Sequence, residues 1–166
     1  MAWDWSGRRV LQISPQPWDG IKVSKHHYAA EMAALGAQVY FLEPPNTGRG
    51  AGVTVSSVAP GISVVRYKTF FPYALKFRSR GLFNLLMRRQ AHLIRRAIGK
   101  PIDLVWDFDN AYQFSDVRVF GAPRAIFHLM DAAVAGMKGD KNADIVLSVS
   151  ALLFDAVRPV KAPAKL

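Results

Sequence analysis

Two short apolar runs flanking one amphipathic helix constrain this chain more than any other feature. Arg9 to Ile13 (RVLQI) reads as a buried strand, stopped by Ser14, Pro15 and Pro17. From Val23 onward Tyr28, Ala29, Met32, Ala33 and Leu35 recur at helical spacing, and Gly36 supplies a left-handed stop. Gln38 to Leu42 (QVYFL) is a second strand, closed by Glu43-Pro44-Pro45. A strand, a helix and a strand in succession make a parallel pair whose crossover is right-handed in nearly all known folds.

The pattern continues. Thr47 to Gly52 reads as a flexible connection, Val53 to Val58 as an edge strand and Ile62 to Tyr67 as a third, β-branched strand. Leu82 to Ile98 then switches to helical periodicity. Leu82, Phe83, Leu86, Met87, Leu93, Ile94, Ala97 and Ile98 fall on one half of the helical circle, with Arg88, Arg89, His92, Arg95 and Arg96 on the other. Asp103 to Trp106, Arg124 to Leu129 and Ile145 to Val149 are further strands, each followed by material for a short helix. This alternation predicts one α/β domain, with a core over 8–157, a doubly wound, mostly parallel sheet and helices on both faces. Ligands of such sheets bind at the carboxyl ends of the strands, here the loops from Ser14, Glu43, Asp107, Met130 and Ser150.

Charge is as unevenly placed as hydrophobicity. No acidic residue lies between Glu43 and Asp103, a block holding Arg49, Arg66, Lys68, Lys76, Arg78, Arg80, Arg88, Arg89, Arg95, Arg96 and Lys100. The whole +10 net charge resides there, interleaved with Tyr67, Phe70, Phe71, Tyr73, Phe77 and Phe83. A surface of this kind suits an anionic partner that accepts apolar rings, either a membrane interface or a nucleic acid. The absence of cysteine excludes disulfides, thiolate catalysis and Cys-ligated zinc, and fits a reducing cytoplasm. Met1 to Arg9 lacks the apolar run of a signal peptide, and no stretch is apolar enough to span a bilayer, so membrane contact is expected to be peripheral.

The loop from Ser14 to Lys22 carries Trp18 and Gly20 at the mouth of the predicted fold. One glycine stands where a dinucleotide fingerprint needs three. Gly20 can admit a ligand close to backbone, and Lys22, Lys25 and His26 lie on first helical turns where an anion is favoured; the alternative is a plain turn with solvated lysines. Asp107 and Asp109 either offer paired carboxylates to a metal or cap a helix beginning near Asn110. Ser150 reads as an N-cap, because no base can be assigned to make it a nucleophile. His128 and Asp131 close an apolar strand, where burial near a cleft would raise the aspartate's pKa and make a usable base; a hydrogen-bonded core histidine is the alternative.

The run RVLQISPQPWDGIKVSKHHYAAEMAALGAQVYFLEPP, followed by VWDFD, IFHLMD and NADIVLSVSALLF, resembles the amino-terminal half of GT-B glycosyltransferases, in particular family 4-like sugar-nucleotide enzymes of bacterial polysaccharide synthesis. The resemblance implies a Rossmann-like domain that holds a lipid-linked or polysaccharide acceptor. It implies Asp131 or His128 as the catalytic base, or as a substrate-orienting group, and Gly20, Lys25, Trp18, Asp109 and Ser150 as substrate contacts. Relatives often carry a second acid directly after this aspartate, where Ala132 stands here. No metal or cofactor is expected in this chain. The nucleotide-sugar donor would occupy a second, carboxyl-terminal domain, absent here, so the chain alone is expected to transfer no sugar. Arg78, Arg80, Arg88, Arg89, Arg95 and Arg96 would face an anionic membrane surface, on the inner side of the cytoplasmic membrane. Two other readings are a nucleic-acid-binding module, which lacks a recognised reader motif, and a stand-alone nucleotide-binding α/β domain, which lacks a glycine fingerprint.

Overall fold

A computed structural model of the chain describes residues 3–46, 52–131 and 139–156, with side chains in the last stretch through 153. Seven strands form one sheet: β1 (Arg9–Ile13), β2 (Gln38–Leu42), β3 (Gly52–Ala59), β4 (Ile62–Lys68), β5 (Leu104–Asp107), β6 (Arg124–Leu129) and β7 (Ile145–Ser148). Their order is β3-β4-β2-β1-β5-β6-β7. Every pairing is parallel except the β3–β4 hairpin, which places β3 antiparallel at one edge. The order runs outward from β1 in both directions, as in a Rossmann-like, doubly wound domain.

Helix α1 (Ser24–Ala34) covers one face through Ala29 and Met32, which pack with Val10, Val39, Phe41, Ile62 and Val64. Its amino terminus is closed by His26, whose Nδ1 accepts the Val23 N–H at 3.1 Å. Gly36, at φ +92°, turns the chain out of the helix as the sequence leads one to expect. The hairpin turn at Gly61 needs its glycine twice over. Its φ is +73°, and a Cβ there would lie 3.0 Å from both the Ala33 Cβ and the Ala37 carbonyl oxygen.

The other face carries the larger core and helix α3 (Arg80–Ile98), preceded by a single turn, α2 (Leu75–Arg78). The buried stripe of α3 is Phe83, Met87, Gln90, Ala91, Ile94 and Ile98. This corrects the expected face by a rotation: Leu82 is 46% exposed and Ala97 lies outside, whereas Gln90 and Ala91 turn inward, because packing against the sheet and not hydrophobicity alone selects the buried stripe. A second correction concerns the link from β5 to β6. No α-helix begins at Asn110; a turn and one 3-10 segment (Val117–Phe120) fill the connection. Helix α4 (Ala151–Ala156) follows β7 and places Leu153 against the larger core. The helix expected after β6 falls partly outside the described residues.

Candidate functional site

The carboxyl ends of β1, β5 and β6 bring together residues on the α1 side of the sheet. Register puts Gln12 beside Trp106 and Trp106 beside Ile126, so Phe108 and His128 continue the same face one step further toward the strand ends. The aromatic rings form a wall: Tyr28, Trp106 and Phe108 stack with centroids 5.3 to 5.8 Å apart, and His128 lies 5.1 Å from Phe108 and 6.1 Å from Trp106. His128 is 9% exposed, and its Nδ1 has no hydrogen-bond partner among the described residues. Burial lowers its pKa first and the charge of Lys25 adds to the effect, so the imidazole is neutral at pH 7.

Lys25 is the cation of this site. It enters on the first turn of α1, is 5% exposed, and donates from Nζ to Gln16 Oε1 at 3.1 Å. No carboxylate among the described residues lies within ion-pair distance of it. Burial lowers its pKa and the charge of Asp131 partly restores it. Asp131 itself is exposed; the burial expected of the aspartate belongs to His128 instead. Beneath Lys25, Gln12 is fully buried, donates to the Lys25 carbonyl at 2.6 Å and leaves its Oε1 unpartnered.

The loop after β1 is braced from the neighbouring strand. Glu43 Oε1 accepts the Trp18 N–H at 2.9 Å, while its Oε2 accepts from Arg66 at 3.0 Å, and Arg66 also holds Asp19 at 2.6 Å. Trp18 packs edge-on against Phe41, with Lys22 3.9 Å above its ring. His26 Nε2 donates to the Pro17 carbonyl at 3.2 Å, since Nδ1 is already an acceptor. Gly20 is exposed, is not left-handed, and has only Pro17 near the position of a Cβ, at 3.8 Å. Backbone geometry therefore does not demand glycine there; the position leaves open space at the mouth.

Two predicted site residues lie elsewhere. Asp109 and Asp107 neither cap a helix nor offer a free pair of carboxylates. Asp107 Oδ1 accepts the Asp109 N–H at 2.7 Å, and Asp109 accepts from Ala111 N at 3.0 Å and Gln113 N at 2.6 Å. Between them sits Lys141, wholly buried, 2.7 Å from Asp107 Oδ2 and 3.7 Å from Asp109 Oδ2, also donating to the Asp109 carbonyl. Its ammonium is 4.6 Å from the rings of Tyr112 and Phe127. This assembly is sealed on the α3 side, away from any ligand in the mouth. Ser150 is exposed, and its Oγ accepts the Leu153 N–H at 3.3 Å, the geometry of an N-cap on α4.

The basic block divides. Arg66 is engaged as above, and Lys76 is buried, donating to the Tyr73 hydroxyl at 3.0 Å. Arg80 is corrected from its expected outward position: it is half-buried and donates to the Tyr112 carbonyl. Arg78, Arg88, Arg89, Arg95 and Arg96 do face solvent. Beside them Phe77 (76% exposed) and Leu85 (62%) project with Phe70 and Leu82, and Arg89 lies over Phe70 at 5.4 Å.

Lys141 was not legible in the sequence, because GDKNAD reads as a solvated loop and nothing in it signals a buried cation. Gln12 left a trace as the one uncharged polar residue inside RVLQI. Among the described residues no cluster of three or more His, Asp or Glu side chains is arranged to hold a metal ion. The mouth can instead accept a hydroxyl proton at a neutral imidazole and hold an anion at a buried ammonium. Lys25→Met is expected to weaken binding of inorganic phosphate at this mouth without lowering the melting temperature, which a titration by isothermal calorimetry and a thermal melt would check. Comparison of the chain with models of known protein families and with curated protein sequences yields no match.

Proposed function

We propose that this chain is the acceptor-binding domain of a GT-B-type glycosyltransferase, holding a lipid-linked or polysaccharide acceptor at the mouth formed by β1, β5 and β6. The observation that carries the reading is the convergence of neutral His128, buried Lys25, which has no carboxylate within ion-pair distance among the described residues, and exposed Asp131 at the carboxyl ends of the strands. In this reading His128 or Asp131 takes the acceptor hydroxyl's proton, and Lys25 meets negative charge on the acceptor or on the donor's phosphates. Donor binding belongs to a second Rossmann-like domain, further along the same polypeptide or on a partner chain. The test is NMR observation of the histidine side chains during titration with a lipid-linked saccharide in micelles. A saturable shift at His128, absent from Asp131→Asn and Lys25→Met proteins, is expected; no response to any saccharide rules the reading out.

A peripheral membrane location on the cytoplasmic side completes this reading, supported by apolar side chains that project among solvent-facing cations. No helix among the described residues is long and apolar enough to cross a membrane. Phe77 and Leu85 would enter the headgroup region while Arg78, Arg88 and Arg89 meet anionic lipid, each cation contributing about 1 kcal/mol. Phe77→Ser with Leu85→Ser is expected to reduce binding to anionic vesicles at least about tenfold. Flotation with phosphatidylglycerol vesicles at two salt concentrations measures it. Tight binding to duplex DNA but not to vesicles would favour the nucleic-acid reading.

A further inference from the structure

Helix α1 begins without the side chain that usually closes a helix. Its N-cap is Val23, which has no polar side chain, and no acidic residue stands in the first turn. The imidazole of His26 serves instead, and it serves twice. Nδ1 accepts the Val23 N–H at 3.1 Å, while Nε2 donates to the Pro17 carbonyl at 3.2 Å. One ring therefore ties together both ends of the 17–23 loop. It is 3% exposed and lies between Trp18 and Phe41, with centroids 5.2 and 5.1 Å away. Only the neutral ring fits these contacts, with Nδ1 bare and the hydrogen on Nε2.

We propose that His26 is a pH-operated clasp on this loop: protonation of the ring unseats Val23 and frees Gly20 to Val23 while the sheet stays folded. In the imidazolium Nδ1 carries a hydrogen, so two N–H donors meet head-on and Val23 loses its acceptor. The ring cannot simply turn aside, because Trp18 and Phe41 enclose it. Burial lowers the His26 pKa from the ordinary 6.5, the charges of Lys22 and Lys25 add to that, and the Pro17 carbonyl opposes it. The other charged groups around the ring are already engaged. Glu43 holds the Trp18 N–H and Arg66, Arg66 holds Asp19, and His27 points to solvent on the outside of α1. Lys22 also spans the loop, donating to the Trp18 carbonyl at 2.7 Å, but in solvent, where one hydrogen bond contributes little. The freed segment carries Gly20 and leads into Lys25, so the order of the mouth follows pH. The clasp belongs to the loop whatever ligand the mouth takes, and it stands or falls independently of the sugar-transfer reading.

The test is NMR of the whole chain, without ligand, between pH 7.5 and pH 4.5. At the upper end the His26 ring should be the Nε2–H tautomer. As it takes up its proton, backbone order parameters of Gly20 to Val23 should fall from about 0.85 to below about 0.6, with the same midpoint as the ring. Amides of Val10, Val39 and Phe41 in the core should stay rigid. The control is His26→Gln, because glutamine at the third helical position can reach back to the Val23 N–H and has no proton to gain. Its loop should stay ordered throughout, although His128 still titrates. If that variant fails to fold, coincidence of the loop and ring midpoints in the wild-type protein decides. A loop that stays ordered around a protonated His26 overturns the proposal, as does a loop that loosens equally in His26→Gln. So does a ring still neutral at pH 4.5, or a core that loosens together with the loop, which is unfolding and not the opening of a clasp.

Discussion

Replacing Lys141 with methionine is expected to destabilise the fold by about 3–5 kcal/mol, the usual consequence of removing one partner of a buried ion pair. For a chain of this size that is a fall of about 10 °C in melting temperature. The reason is electrostatic. Lys141 and Asp107 have no solvent exposure in their side chains, and Asp109 has almost none. Without the ammonium, two carboxylates are left in a low-dielectric environment with only backbone N–H donors. The surrounding backbone depends on the same contact, since Tyr112, Lys141 and Asn142 all hold left-handed conformations, at φ 53°, 53° and 59°. Such conformations are disfavoured for residues other than glycine and persist when their surroundings over-determine them. Tyr112 is fixed by its hydroxyl on the Gly139 carbonyl at 2.7 Å, and Lys141 by its carbonyl on Val117 N at 3.0 Å. A melting temperature for Lys141→Met within about 2 °C of wild type, which at this size means under about 1 kcal/mol, would show that the cluster is not a strut.

The second large effect is a dependence on pH carried by Asp107. Burial pushes its carboxyl from the usual 3.8 up to about 6, against the pull of Lys141, with Asp109 adding to the rise. The folded state therefore holds this proton more tightly than the unfolded state. The associated stability is fully present below the unfolded pKa and is lost as pH rises through 6, an effect of about 3 kcal/mol. His26 and His128 act in the opposite direction. Their folded pKa values are lowered by burial, so acidification below their ordinary 6.5 favours the unfolded state. The Asp107 contribution must be read as a difference between wild type and Asp107→Asn. On going from pH 8 to pH 5 the wild-type protein should gain about 1.4 kcal/mol relative to the variant, the rest of the effect appearing only as pH falls below the unfolded value of 3.8. The variant is also expected to be weaker in absolute terms, because an amide NH₂ must face either the Asp109 N–H or the Lys141 ammonium. Denaturant melts across that range measure the gap, and one that stays constant with pH would refute the shifted carboxyl.

How much of this was legible in the chain itself follows from the range of the forces involved. Strands β1, β2, β4 and β6 lie within a residue of where their apolar runs place them, because a two-residue periodicity with β-branched side chains is a local property. The stop at Gly36 is equally local. The rotation of the α3 stripe was not legible, since Gln90 becomes a core residue only when the helix meets a particular sheet. The helix expected at Asn110 failed for a related reason. Asp107 and Asp109 have good capping side chains, but their oxygens are taken by a tight turn and by Lys141, 34 residues from Asp107.

The candidate mouth divides in the same way. Strand ends in a doubly wound sheet pointed to Lys25, His128 and Asp131 before any coordinates, because topology alone directs ligands there. Which of them is buried is another matter. His128 and Lys25 are covered by Tyr28, Phe108 and Gln16, residues drawn from three separate segments, whereas Asp131 stays in solvent. The amino-acid order by itself determined the strands, the crossovers and the segregation of cations into one block, since these depend on hydrophobic spacing and composition. Only the tertiary structure decided that Lys141, Lys76 and Arg80 turn inward while Arg88, Arg89, Arg95 and Arg96 face water. A charged side chain can leave solvent only where distant parts of the chain meet to supply its partners, and no local pattern encodes that meeting.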